Sequence, residues 1–143
     1  MGTINFLQDF RLYDFFSDSN KITIFDDGKI YEFPQNSTGF GEILKEFLYL
    51  INDAHEMPAF GVSLHEETTQ ALTNGLWLKF DFEEEHEHND LPFTSLLIYV
   101  NPQDQGFNLI REYQHRFEGR CFYLSLQQNN MQDLFDVIKR IIK

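Results

Sequence analysis

Two histidines separated by one residue, His86 and His88, lie within the acidic run Glu83-Glu84-Glu85-His86-Glu87-His88-Asn89-Asp90. In an extended segment, side chains at i and i+2 project to the same side, so both imidazoles can meet one ligand. Two imidazoles with a carboxylate nearby match the donor preferences of Zn²⁺, Ni²⁺ or Fe²⁺. A divalent transition metal held by His86 and His88 is therefore the one cofactor the sequence suggests. A working centre needs a third ligand and outer groups that orient all three. Metal motifs that begin His-x-His continue with a Glu and a later His, and Asn89-Asp90-Leu91-Pro92-Phe93 supplies neither. The weightier expectation is a solvated loop whose charges keep a sheet edge from pairing with other chains.

Other constellations are weaker. Cys121 follows His115 by six residues with Glu118 between them. A thiolate nucleophile needs a histidine beside it in space, and a lone Cys in an apolar strand is more often core. Gly61-Val62-Ser63-Leu64-His65 has the outline of a serine turned sharply between strand and helix, but His65 stands where that turn requires Gly. Gly39-Phe40-Gly41 opens a helix, where backbone N–H groups can hold phosphate. Leu44 replaces the third Gly of a dinucleotide site, no Lys follows, and Glu42 would repel an anion. Arg111, Arg116 and Arg120 interleave with Tyr113 and Phe117 and are expected to offset neighbouring acids.

Charge narrows the choice of partner. The chain has 143 residues and a net charge of −12. Residues 1–90 hold 5 Lys/Arg against 18 Asp/Glu, and residues 91–143 hold 6 against 5. A duplex binder needs cations to displace counterions from phosphate, so direct nucleic-acid binding is not expected. An anionic membrane is disfavoured for the same reason, and no apolar run is long enough to span one. A basic protein surface is the natural complement, with Glu83, Glu84, Glu85 and Glu87 as the candidate contact residues. The single cysteine excludes an internal disulfide and suits a reducing, cytoplasmic setting. Met1 to Phe6 has no basic start or apolar block, and Phe6 breaks the myristoylation pattern.

The elements that must position these residues follow from periodicity. Ile4, Leu7 and Phe10 have helical spacing, while Leu12 to Phe16 fits helix and strand equally. Lys21 to Phe33 reads as a β-hairpin closed at Asp26-Asp27-Gly28. Phe40, Leu44, Phe47, Leu48 and Ile51 form one apolar helical stripe. A short strand is expected over 59–64 and a short helix over 66–74, ended by Gly75. Leu76 to Phe82 alternates as a half-exposed strand, and Phe93 to Val100 is a continuous apolar run suited to a central strand. The segment 107–117 fits a helix imperfectly, Phe122, Leu124 and Leu126 face inward from a last strand, and Met131 to Ile142 forms an amphipathic C-terminal helix. Together these predict one α+β domain over 1–143: a largely antiparallel sheet of about five strands with helices mainly on one face.

No group of nucleophile, base and oxyanion donors is visible, so a non-catalytic protein–protein interaction or regulatory module is the leading expectation. With 16 Phe in the chain, aromatic surface could also serve a homodimer. The alternatives are a small metal-binding protein or metal-dependent enzyme using His86 and His88, and an acidic inhibitor that mimics nucleic acid.

Overall fold

The computed structural model describes residues 16–59 and 61–143. The expected opening helix over Ile4, Leu7 and Phe10, and most of the ambiguous stretch after it, lie outside those residues. The fold is α+β, built on a seven-stranded sheet of β1 (Ser19–Asp26), β2 (Lys29–Pro34), β3 (His55–Met57), β4 (Leu76–His88), β5 (Leu91–Tyr99), β6 (Gly106–Tyr113) and β7 (Arg116–Ser125), in the order β2-β1-β4-β5-β6-β7-β3. Every neighbouring pair is antiparallel. Among the described residues no helix is long and apolar enough to cross a membrane.

Strands β1 (Ser19–Asp26) and β2 (Lys29–Pro34) form the expected hairpin. Asp27 and Gly28 both take positive φ, 49° and 91°, as a two-residue turn of matching twist requires. The turn is tied to the start of β4 (Leu76–His88): the Asp27 carboxylate accepts from the Gly75 N–H at 2.7 Å, and the Asp27 N–H donates to the Gly75 carbonyl at 2.9 Å. The β1–β4 register sets Ile22 beside Phe80 and Ile24 beside Leu78, all fully buried.

Helix α1 (Thr38–Leu50) starts at Ser37, whose Oγ accepts from the Phe40 N–H at 3.3 Å. Its Phe40, Ile43 and Phe47 share the main core with Leu134 and Ile138 of α3 (Gln132–Ile141). Phe16, Phe47 and Phe80 pack as three mutual ring contacts, with centroids 4.7 to 5.0 Å apart. Such pairs add about 0.5–1.5 kcal/mol each beyond their area. At the rim, Lys139 of α3 pairs with Asp26 at 3.2 Å and Arg140 with Glu42 at 3.0 Å. Gly39 allows α1 to approach β2: a Cβ there would lie 2.6 Å from the Phe33 ring and 3.3 Å from Ile141.

Strand β5 (Leu91–Tyr99) is buried on both faces through its middle. Leu96 and Ile98 join the main core, whereas Leu97 joins a smaller reverse-face cluster with Ile110 and Phe117. Helix α2 (His65–Ala71) packs near that cluster, and its His65 Nδ1 accepts the Phe117 N–H at 3.0 Å.

Four expectations are corrected. The sheet has seven strands rather than about five. One extra strand is β3 (His55–Met57), which pairs with β7 (Arg116–Ser125) before Pro58, whereas 61–64 forms no strand and exposes Val62 and Leu64. Phe60, within that expected strand, lies outside the described residues. The other is β6 (Gly106–Tyr113), which stands where a helix over 107–117 was expected and turns into β7 through Gln114-His115. Strand β6 keeps its alternation, with Phe107 and Leu109 in the main core and Ile110 in the reverse-face cluster, and apolar residues on both faces imitate helical spacing; the two register slips leave their extra residues, Cys121 and Glu118, on β7. The acidic run is also not a loop: β4 continues to His88, and only Asn89-Asp90 turns, with φ of 52° and 66°.

Leu134→Ala should lower the unfolding free energy by about 2–5 kcal/mol, the range for a fully buried leucine. Phe135 is only partly buried beneath Lys139. Phe135→Ala should therefore cost less, and urea titrations that reverse this order would place Phe135 rather than Leu134 in the core. The two glycines of α1 should also part in sign. Gly41 has open space around it, so Gly41→Ala should stabilise by about 0.5–1 kcal/mol. Gly39→Ala should destabilise by forcing Phe33 and Ile141 apart, and equal midpoint shifts for the two variants would contradict the close approach.

Candidate functional site

The geometry of the acidic run is set by a large bulge. Asp81 pairs with Ser95 and His86 with Phe93, so five steps along β4 are matched by two along β5. Phe82 to Glu85 thus oppose Thr94 alone. A bulge bends its strand and sharpens the local twist. The bend is visible in what His88 reaches. Three inter-strand spacings separate β4 from β7, about 14 Å in a flat sheet. Yet the His88 ring lies 4.5 Å from that of Phe122 on β7, and its Nε2 is 2.8 Å from a Glu56 carboxylate oxygen on β3. The sheet therefore curls, bringing the end of β4 over β7 and β3.

His86 and His88 take different partners inside this curl. His86 packs edge-on to Phe82, 5.2 Å between centroids, and lies 6.2 Å from Phe93. His88 is committed to Phe122 and Glu56. Among the described residues, no three His, Cys, Asp or Glu side chains are grouped to hold a metal ion. Both imidazoles are partly buried, so they are structural contacts of the curled sheet rather than members of a solvated loop.

Cys121 lies beneath the same corner. Its Sγ is 3.9 Å from the His88 carbonyl, while His115 is exposed at the β6–β7 turn. Burial pushes the thiol up to about 11, with Arg111 acting in the opposite direction and Glu56 adding to the rise. A neutral, enclosed thiol is a poor nucleophile at physiological pH. Ser63 is likewise engaged, its Oγ accepting from Arg120 Nε at 2.7 Å.

The three arginines separate. Arg111 donates to the Pro92 carbonyl at 2.6 Å, Arg116 lies 3.7 Å from Glu66, and Arg120 holds Ser63. They offer no common basic surface. The acids sort more sharply. Asp26, Glu32, Glu42, Glu56, Glu66, Asp81 and Glu112 each face a cationic or imidazole side chain. Glu83, Glu84 and Glu87 are exposed and have no such partner among the described residues. Glu83 and Glu84 line a shallow concavity with Ser17, Asp18, Gln35 and His86. Glu85 turns elsewhere, its carboxylate accepting from the Tyr113 hydroxyl and holding that phenol above its usual range.

A second concavity, of about 440 Å³, was not anticipated from the sequence. Trp77, Tyr99, Asp104, Asn108, Arg120 and Tyr123 line it on the reverse face of the sheet. The signal for it was the alternation of β4, which turns Trp77 away from Leu76 and Leu78 and so away from the main core. No protein-family model, no curated protein and no solved structure matches this chain.

The buried thiol makes stability depend on alkaline pH. Its ordinary value is 9.0 and its folded value about 11, so between these pH values the unfolded chain binds fewer protons than the native one. Stability should therefore fall as pH rises through that window. Cys121→Ala should flatten this part of the stability–pH curve, and an unchanged slope would show that other groups produce it.

Proposed function

We propose that the chain is a non-catalytic module that binds a protein partner with a basic surface through the bulged, acidic corner of β4. The observation that supports this reading is the clustering of acids at one corner. Glu83 and Glu84 in the bulge and Glu87 just beyond it are all exposed and have no cation of their own among the described residues. Unneutralised surface charge of one sign raises the local potential and speeds encounter with an oppositely charged partner. The corner is also firmly mounted, because His88 and Phe122 anchor the strand immediately beyond it. The setting that suits this reading is cytoplasmic, where a single thiol stays reduced.

Exposed charges are screened over roughly 8–10 Å at physiological ionic strength. Partner association should slow as salt rises, with a smaller effect on dissociation. Glu83→Gln, Glu84→Gln and Glu87→Gln together should reproduce that slowing and leave the melting temperature nearly unchanged; Glu85 is kept for its Tyr113 contact. A pull-down at low and high salt identifies the partner, and surface-binding kinetics of wild type and triple variant give the rates. Association indifferent to both salt and substitution would leave these acids with solubility as their role.

A further inference from the structure

We infer that the reverse-face groove binds an extended, proline-containing peptide segment that carries a basic residue. This goes beyond the acidic corner, which lies at the other end of strands β4 and β5.

The groove exists because two hairpins share a short seam. Strands β4 and β5 pair as far as Trp77 with Tyr99, and β6 and β7 as far as Gly106 with Ser125. Between the hairpins, β5 and β6 pair only from Ser95 to Leu97 against Ile110 to Glu112. Continuing that register would place Tyr99 opposite Asn108, which itself pairs with Tyr123. Trp77, Tyr99, Asn108 and Tyr123 therefore form one transverse row over four strands. The row spans a fork where β5 and β6 have parted.

Glycines seat the rings. A Cβ at Gly75 would lie 2.8 Å from the Tyr99 ring, and one at Gly106 would overlap the Tyr123 hydroxyl. Each tyrosine thus lies close over bare backbone. Trp77 is fixed by its Nε1–H, which donates to the Asn74 carbonyl at 2.9 Å, and its ring centroid is 4.8 Å from that of Tyr99. The result is a set of aromatic walls held in place before any ligand arrives, which lowers the ordering cost of binding.

The chemistry of the groove selects the ligand. Aromatic-lined grooves accept polyproline II segments, whose rings pack on aromatic faces and whose conformation is already extended. Such a backbone makes no internal hydrogen bonds, so its carbonyls seek donors, and the Tyr99 hydroxyl at the groove can supply one. Asp104 is its one carboxylate. Arg120 is turned onto the 61–63 segment, with its guanidinium against Gly61 and its Nε on Ser63. With a net charge of −12 behind it, the groove favours a basic residue on the peptide. Beside Arg120, Val62 is 76% and Leu64 53% exposed, and Tyr99 within the groove is 41% exposed.

Trp77 is the only tryptophan, so its emission reports on this groove alone. The probes are a synthetic proline-rich peptide of about ten residues with one arginine, roughly 30 Å long as polyproline II, and the same peptide with alanine for arginine. Titration into the full chain should shift or quench the emission saturably, with the arginine peptide binding more tightly. Tyr99→Ala should weaken binding about tenfold or more, a loss of the size expected of an interface anchor. Asp104→Asn should abolish the difference between the two peptides. The Glu83, Glu84 and Glu87 triple variant should bind the peptide as wild type does, so this inference and the acidic-corner reading fail separately. Circular dichroism confirms folding of each variant. An emission unmoved by either peptide up to about millimolar, or moved equally in Tyr99→Ala, overturns the proposal. A response to a glucose oligomer in place of the peptides would also overturn it, assigning the groove to carbohydrate.

Discussion

Four residues of β4 facing one residue of β5 determine more of this structure than any other local feature. A strand that slips three positions cannot remain flat against its neighbour. The surplus chain turns its Glu83 and Glu84 outward, while the strand beyond it is carried over the sheet. His88 then meets Phe122 and Glu56, residues that a flat sheet would hold three and four strands away. Burial of Cys121 follows, because the returning backbone of β4 supplies the carbonyl above its thiol. Exposure of the acids and enclosure of the thiol are thus two results of one irregularity.

The parts of this fold visible in the sequence are those in which local pattern and tertiary role agree. The β1–β2 hairpin has alternating Ile22, Ile24, Tyr31 and Phe33 around a turn with Gly28, whose positive φ glycine adopts without strain. Helices α1 and α3 carry apolar stripes that meet in the core. The missed elements have weaker or contradictory local signals. The turns at Asn89-Asp90 and Gln114-His115 take positive φ without glycine, so nothing conspicuous marks the second as a hairpin. Strand β3 is only His55–Met57 and exposed throughout, and its pairing with β7 depends on residues some seventy positions away. In β6 the apolar residues fall on both faces, Phe107 and Leu109 on one and Ile110 on the other, so their spacing resembles a helical stripe as much as a half-buried strand.

The chemical residues were legible in the same uneven way. The spacing of His86 and His88 was compatible with an extended segment, which β4 provides, but a solvated loop was the weightier expectation and the ladder partners Phe93 and Leu91 overturn it. Spacing alone could not reveal that aromatic rings and Glu56 would occupy both imidazoles, because those partners come from other strands. For Cys121 the expectation of a buried core side chain agrees with its 6% exposure. The glycines near α1 and β6 were harder to read. Gly39 and Gly106 are explained by what lies against them, Phe33 and Tyr123, rather than by a phosphate or a turn.

The curl at one end of the sheet and the fork at the other share a physical origin. Each antiparallel hairpin twists with the same hand, and two-stranded ribbons twist more strongly than broad sheets. Hairpins β4–β5 and β6–β7 are each long, yet only three residue pairs join them. A seam that short fixes the two ribbons near its centre and leaves their ends to follow their own twist. At the His88 end the bulge lets one ribbon bend back over the other, closing that end with the contacts to Phe122 and Glu56. No comparable bulge interrupts β4 and β5 between Trp77 and Asp81, so at the Tyr99 end the ribbons diverge and side chains fill the gap. Tyrosine and tryptophan suit such a position, since they cover apolar surface with a ring while keeping a polar tip for water or a ligand. The sheet thus places a closed, charged corner and an open, aromatic groove at opposite ends of the same two strands.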